Sequence, residues 1–395
     1  MIASIPVLAF AGVVAVTSGS TPTASPSATE QAALRTPRFE LAQDTVIVPM
    51  HVESGRVLLD VRINGRGTFP FVLDTGAQGH VIGSDLASEL ALPMGPAMRA
   101  GSPGGQGLEG HLVTLDRLQV GGLTVLQARG PALPLPFAPG PGAPRGVLSP
   151  YRLGNLLVTL DYPHAQVIFR RGSLPEPDGR ETFGWDRAEP LPVVKLSVAG
   201  HELRAHLDSG AQSGLSVPTS LETELPLATP VSEIARARLM DRELVVQAAK
   251  LAATVTLGRY TIENPDLAFI DVVQDMANVG PPVLRQLSIT LDPAHLRLRL
   301  EGPADGRLQL SEARPRRYGI RLGGMGPGPM EVLGVDSGSP AEKAGLRTGD
   351  VILSLNGQPA DSLAGEARMQ ALRASPLRLE VRRGDKVLTL EMRLE

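Results

Sequence analysis

The chain has 395 residues, enough for two or three domains, and no cysteine, which removes disulfide scaffolds, thiolate zinc sites, thiol nucleophiles and cysteine-linked lipids together. Its net charge of -3 and charged fraction of 20% describe neither a nucleic-acid footprint nor a basic membrane face. Gly (43) and Pro (35) make up about a fifth of the sequence against a usual share of roughly 12%, which favours many short strands and turns, and with 8 Phe, 4 Tyr and 1 Trp the cores must rest on Val, Leu, Ile and Ala.

Residues 1–33 read as an export signal and spacer. Ile2 to Val16 is apolar apart from Ser4, and Thr17-Ser18-Gly19-Ser20 then opens a Ser/Thr/Pro/Ala-rich stretch to Ala33. About 15 apolar residues fall short of the roughly 20 that span a bilayer. The expected location is periplasmic or secreted; no Lys or Arg precedes the run, and an uncleaved membrane anchor is the alternative use of the same segment.

Beyond Ala33 the chain repeats itself. One copy runs Val61-Arg-Ile63-Asn-Gly65, Phe71-Val-Leu73-Asp74-Thr75-Gly76-Ala77-Gln78 and closes with Val158-Thr-Leu160-Asp161. The other runs Leu196-Ser-Val198-Ala-Gly200, His206-Leu207-Asp208-Ser209-Gly210-Ala211-Gln212 and closes with Ile289-Thr-Leu291-Asp292. Asp74 and Asp208 lie 134 positions apart and the closing Asp161 and Asp292 lie 131 apart, the mark of two homologous units, placed at 38–173 and 190–302. Alternating or short apolar runs separated by Asn-Gly and Ala-Gly predict hairpins, with Pro131 to Pro144 as a surface loop and Leu174 to Pro190 as a linker. A third, smaller domain is placed at 317–395, where Gly-rich sequence leads into Gly338-Ser-Pro340-Ala and Gly349-Asp350-Val-Ile.

The paired Asp-Thr-Gly and Asp-Ser-Gly carry the chemistry. Hydrolysing a peptide without a covalent intermediate needs an activated water and a polarised carbonyl together, and two adjacent carboxyl groups sharing one proton supply both. Like charges about 3 Å apart cannot both ionise, so the pair titrates as a unit with one pKa raised. The Gly residues, Gly76 and Gly210, permit a tight turn after an apolar strand, and the Thr75 and Ser209 hydroxyls can hydrogen-bond across the pair and brace it.

Each repeat resembles a retropepsin-like aspartic protease unit, in the apolar-apolar-Asp-Thr/Ser-Gly-Ala core, the strands before it and the closing Val-Thr-Leu-Asp and Ile-Thr-Leu-Asp segments. The resemblance implies a mostly β fold of two closed β-barrel units paired within one chain as a pseudo-dimer, with Asp74 and Asp208 as catalytic residues and Thr75, Gly76, Ala77, Ser209, Gly210 and Ala211 in support. It also implies a Gly-containing flap hairpin over the site, matched by Ala100-Gly-Ser-Pro-Gly104-Gly105-Gln-Gly107. Ile234 to Asp241 takes that place in the second copy without glycine, and is expected to be a degenerate flap. Behind each Asp loop the family packs an apolar-apolar-Gly element; the second copy keeps Gly280, whereas Ser149 stands in the first. Ala77 and Ala211 stand where other aspartic proteases often carry Ser or Thr, which leaves fewer donors to the ionised pair and predicts an optimum at mildly acidic to near-neutral pH.

The third domain resembles a PDZ module of the kind attached to exported bacterial proteases, with Tyr318, Gly319, Ile320, Arg321 and Leu322 as the peptide-binding loop and strand. Peptide adds to such a sheet edge as a strand, through a C-terminus or an internal segment. Asp336-Ser337-Gly338 falls within this domain and is not a third catalytic motif. His201-Glu-Leu-Arg-Ala-His206 has one residue too many for a His-Glu-x-x-His zinc helix, and His80 and Trp185 read as structural. The sequence therefore predicts an exported aspartic endopeptidase acting on polypeptides, with no metal, organic cofactor or nucleic-acid partner. Two alternatives use the same residues: a peptide-binding quality-control module with little turnover, and a protease active only as a homodimer.

Overall fold

The computed structural model describes residues 6–7, 38–53, 55–102, 105–137, 142–211, 213–239, 243–271, 275–310, 318–323, 330–335, 338–363 and 365–393. The protein is mostly β, and the described residues are arranged in four sheets. Apart from Pro6–Val7, which pairs in parallel beside Arg236 and Ala237, residues 1–33, expected as an export signal and spacer, lie outside the described residues.

The first repeat builds a nine-stranded sheet and the second supplies all but Pro6–Val7 of a ten-stranded one. In the first, Arg56–Ile63 turns at Asn64-Gly65 and returns as Arg66–Leu73; in the second, Val193–Val198 turns at Ala199-Gly200 and returns as His201–Leu207. All four turn residues are left-handed (φ 52°, 78°, 51° and 89°), the geometry a two-residue hairpin needs. Each returning strand then pairs in parallel with a short strand, Gly146–Leu148 or Met276–Val279, that comes back from the end of its own repeat. Alternation decides what is buried: Val57, Leu59, Val61 and Ile63 are fully enclosed while Asp60 and Arg62 face water.

The closing segments of the two repeats meet in a shared six-stranded sheet. Leu157–Asp161 pairs antiparallel with Ser288–Asp292, so that Thr159 lies opposite Thr290 and their hydroxyls hydrogen-bond at 2.9 Å. One continuous aliphatic core runs through both repeats and this sheet. The segment 174–190 is not the loose linker its prolines suggest. Thr182–Gly184 forms the edge strand against Arg297–Glu301, burying Phe183, and Leu174 is buried with its N–H donated to Asp292. Three residues are too few to show a period, which is why the strand is invisible in sequence.

The glycine-free segment expected as the second repeat's degenerate flap falls on a strand pair. Ser232–Arg238 and Glu243–Lys250 pair antiparallel with a bulge after Glu233, and Leu239 beyond the first strand is buried; Met240, Asp241 and Arg242 lie outside the described residues. The C-terminal sheet, Ile320–Gly323, Met330–Val335, Val351–Leu355, Leu377–Arg383 and Lys386–Met392, encloses its own core with the helices Pro340–Lys343 and Gly365–Arg373. Among the described residues no helix is long and apolar enough to cross a membrane.

Candidate active site

Both Asp residues follow a strand whose last residue is buried, Leu73 or Leu207, and leave it in the same way. Asp74 N–H donates to Leu148 O at 2.9 Å and Asp208 N–H to Val279 O at 2.9 Å, each on the parallel neighbour strand. The chain then turns tightly, Ala77 N–H returning to Asp74 O and Ala211 N–H to Asp208 O, both at 3.3 Å. Gly76 N–H reaches Asp74 Oδ1 at 2.7 Å and Gly210 N–H reaches Asp208 Oδ1 at 2.8 Å.

The structure brings these loops into contact. The Thr75 hydroxyl donates to Leu207 O at 2.7 Å and accepts Ser209 N–H at 2.9 Å; the Ser209 hydroxyl donates to Leu73 O at 2.9 Å and accepts Thr75 N–H at 2.9 Å. The hydroxyls thus bind the backbone of the opposite loop, not the carboxylates. Gly76 and Gly210 matter for close approach: a Cβ on Gly76 would sit 2.7 Å from Asp208 Oδ1, and one on Gly210 would sit 2.7 Å from Asp74 Oδ2. Neither has a left-handed backbone, so the absent side chain is the requirement, not the turn geometry expected from sequence.

The two carboxyl groups are buried together, Asp74 at 0% and Asp208 at 2% exposure. Burial, then the charge of Asp208, holds the Asp74 carboxyl well above the usual carboxylate range. Burial raises Asp208 to about 6, and Gly210 N–H, Asn278 Nδ2 and the Asp74 carboxyl oppose that rise by hydrogen-bonding its ionised form. One proton between two carboxyl groups follows from these directions.

Several neighbours escaped the sequence reading. Arg56 is buried beside the pair, with its guanidinium 5.7 Å from the Phe137 ring centroid; burial lowers its pKa and both Asp charges raise it. Tyr151 donates its hydroxyl to Thr75 O at 2.9 Å and meets Trp185 edge-on at 6.4 Å between ring centroids. Arg152 Nε donates to Gln78 O at 3.0 Å. Asn278 Nδ2 donates to Asp208 Oδ2 at 3.3 Å.

His80 explains the Ser at position 149. In the second unit Gly280 N–H donates to Gly214 O at 2.8 Å, and a Cβ on Gly280 would lie 2.1 Å from Ser213 O. In the first unit the Ser149 N–H donates to the His80 ring at Nδ1 (3.2 Å). Nδ1 must then be the acceptor, so Nε2–H donates to Arg152 O at 3.1 Å. An imidazole stands where the other unit uses a backbone carbonyl, and Ser149 fits fully buried. Burial pushes the His80 pKa down to about 4, keeping the ring neutral as this arrangement requires.

Met94–Ala100 and Leu108–Val120 form an antiparallel hairpin where the flap is expected, with Ala100 opposite Leu108. Gly105 N–H donates to Ser102 O at 3.0 Å in its tip; Gly104 lies outside the described residues. Ala77 and Ala100 belong to a small apolar cluster with Val81, Leu133 and Val147, against which Leu108, Leu135 and Phe137 pack, so the tip end of the hairpin leans on the Asp74 loop. Ala211 is buried at the equivalent place of the second loop.

In the C-terminal domain Tyr318 is buried and hydrogen-bonds Ala374 O, Gly319 is left-handed (φ 73°), and Ile320, Arg321 and Leu322 lie in the strand at the sheet edge, paired on one side only. Asp336 lies outside the described residues, as does the Arg321 side chain. His201 and His206 sit in strand His201–Leu207, not on a helix.

Comparison with known proteins agrees with two of these parts. The aspartyl protease family model matches residues 59–150, which include Asp74, and the PDZ domain model matches residues 331–383. A solved HtrA3 PDZ domain bound to a phage-derived ligand (FGRWV) is 32% identical over 20% of this chain and 84% of that chain, with a TM-score of 0.18. No curated protein matches the chain. The chain thus carries an aspartyl protease domain followed by a PDZ domain. Asp208 and the strand Ile320–Gly323 lie outside both matched ranges.

Proposed function

We propose that the protein is an exported aspartic endopeptidase in which residues 38–173 and 190–302 act as two retropepsin-like units of one pseudo-dimeric enzyme, and in which Asp74 and Asp208 form the catalytic dyad. The observation that carries this reading is the reciprocal hydrogen bonding of Thr75 and Ser209, which joins the two Asp loops inside a single chain. A homodimer pairing Asp74 with its own copy would have to break it.

The reaction follows from one proton shared by two carboxyl groups. The ionised carboxyl takes a proton from water as the water oxygen bonds to the peptide carbonyl carbon, and the protonated carboxyl gives its proton to the carbonyl oxygen. Collapse of the resulting gem-diol breaks the C–N bond. The first carboxyl hands its proton to the leaving nitrogen, and one diol hydroxyl returns a proton to the second, restoring the starting state. The flap hairpin closes over an extended substrate, and the open edge at Ile320–Gly323 takes a peptide C-terminus or internal strand. Export is supported by the apolar run from Ile2 to Val16 and the small-residue segment after it.

Cleavage of an unfolded, fluorophore-labelled protein between pH 3 and 8 tests the reading, comparing the parent with Asp74→Asn and Asp208→Asn. Each change should abolish the activity, and the parent's activity per molecule should not depend on protein concentration. Loss with only one of them would favour the homodimer, and an inert parent would leave a peptide-binding module. N-terminal sequencing of the protein recovered from cell fractions tests export.

A further inference from the structure

The two Asp loops match in backbone but not in what reaches the carboxyl oxygens. Each Oδ1 accepts the N–H of the Gly two residues on. The other oxygens differ. Asp208 Oδ2 accepts from Asn278 Nδ2, whereas Asp74 Oδ2, equally buried, accepts from no donor among the described residues and faces the Asp208 carboxyl. Register shows why. Leu148 O and Val279 O hold equivalent places beneath the two Asp N–H groups, so Val147 stands where Asn278 stands and offers no donor.

A buried carboxyl oxygen that accepts a hydrogen bond is stabilised as an anion; one without a donor is best satisfied by carrying the proton itself. We propose that Asn278 is a positioning residue that decides where the shared proton resides, leaving Asp208 ionised and Asp74 protonated. Under the protease reading, on which the catalytic roles rest, Asp208 is then the base that takes the proton of water and Asp74 the acid that protonates the carbonyl oxygen. The residence of the proton is a property of the pair and is measurable without turnover.

The other titratable groups facing the pair do not impose this choice. Arg56, from strand Arg56–Ile63, attracts both charges, with Asp74 the larger influence, and so opposes the bias of Asn278. Tyr151 and Tyr162 are buried phenols kept neutral by desolvation, and Arg285 acts on Tyr162. Burial raises both carboxyl groups and the Asp208 charge raises Asp74 further, while Asn278 lowers Asp208, in the sense the hydrogen bonds give.

The experiment is a pH titration of the full chain carrying 13C-carboxyl aspartate, read by NMR from pH 3 to 9, with Asp74→Asn and Asp208→Asn identifying the two signals. The lower of the two titrations should be the one that disappears in Asp208→Asn, a test made on the parent itself. In Asn278→Leu it should rise by about one pH unit, the worth of one hydrogen bond to a carboxylate at this length. The acid limb of kcat/KM on an unfolded substrate should move with it, while Asn278→Ser, which keeps a donor, should move it less. Disappearance of the lower titration in Asp74→Asn, or an unmoved Asp208 signal in folded Asn278→Leu, overturns the proposal. If the titrations behave as stated but no form cleaves peptide, the protease reading fails and the assignment of the proton stands.

Discussion

Thr75 and Ser209 exchange hydrogen bonds reciprocally, each hydroxyl accepting the other residue's N–H at 2.9 Å and donating to the carbonyl two positions before it. All the groups involved are buried, so breaking one arm strands a backbone donor and a backbone acceptor where water cannot replace the partner.

Thr75→Val keeps the shape and removes the hydroxyl, leaving Ser209 N–H and Leu207 O unpaired. The expected loss is about 3 kcal/mol, taken as one to two unsatisfied buried groups. Thr75→Ser retains the hydroxyl and should stay within about 1 kcal/mol of the parent. Urea denaturation of the three proteins decides it; equal midpoints for Thr75→Val and Thr75→Ser would show that the exchange contributes nothing to stability.

Close approach of the carboxyl groups depends on two missing side chains. In Gly76→Ala or Gly210→Ala the new Cβ would lie 2.7 Å from a carboxyl oxygen of the facing Asp, so the pair must separate. Cleavage should fall about 100-fold or more, the usual consequence of displacing catalytic groups by an ångström. Gly79→Ala is the control, since a Cβ there meets nothing within 4 Å and the backbone is not left-handed. A Gly79→Ala enzyme as damaged as Gly76→Ala would mean that the loop's flexibility matters, not its clearance.

What was legible in the sequence was contiguous. Asp74-Thr-Gly-Ala and Asp208-Ser-Gly-Ala are local strings, and the turns at Asn64-Gly65 and Ala199-Gly200 declare themselves through two residues each. The groups that tune the pair arrive from far along the chain: Asn278 is 70 positions from Asp208 and Tyr151 is 76 from Thr75. No local period marks them, because only the parallel return of a short strand brings them in. One signal was available: placing the repeats side by side sets Asn278, a polar residue inside the apolar Met276-Ala-Asn-Val279, against Val147. The strand at Thr182–Gly184 gave none, its burial being decided by the sheet edge it completes.

Ser149 carries a fully buried hydroxyl that meets no hydrogen-bond partner among the described residues, although its N–H is held by His80. Ser149→Ala removes the stranded oxygen and leaves the backbone contact intact. It should stabilise the protein by about 1 kcal/mol, the desolvation penalty of one unsatisfied group. Ser149→Gly removes the same oxygen but adds freedom to the unfolded chain, and should come out up to about 1 kcal/mol below Ser149→Ala. A destabilised Ser149→Ala in thermal melts would show that the hydroxyl has a partner, and so a role.

His80 sets a pH limit that can be isolated from the dyad. Its folded pKa, about 4, is depressed from 6.5, so between those values the unfolded chain binds the extra proton. Stability from the neutral ring is therefore complete above about 6.5 and drains away as pH falls towards 4, by about 3 kcal/mol in all. Protonation also turns Nδ1 into a donor facing the Ser149 N–H, breaking the bond that seats the Asp74 loop. Asp208 works in the opposite sense: its folded pKa is raised to about 6, so its contribution is present below about 3.8 and lost as pH rises through 6. The parent's profile sums opposed slopes, and only a difference separates them. In His80→Asn the amide oxygen can still accept the Ser149 N–H but does not titrate, while Asp208 is unchanged. This variant should be the less stable protein at pH 7, through loss of the bond to Arg152 O, and the gap should close by about 3 kcal/mol on going to pH 4. Urea melts of both proteins at half-unit intervals measure that gap, and a constant difference across the range would mean that His80 is not the group that titrates.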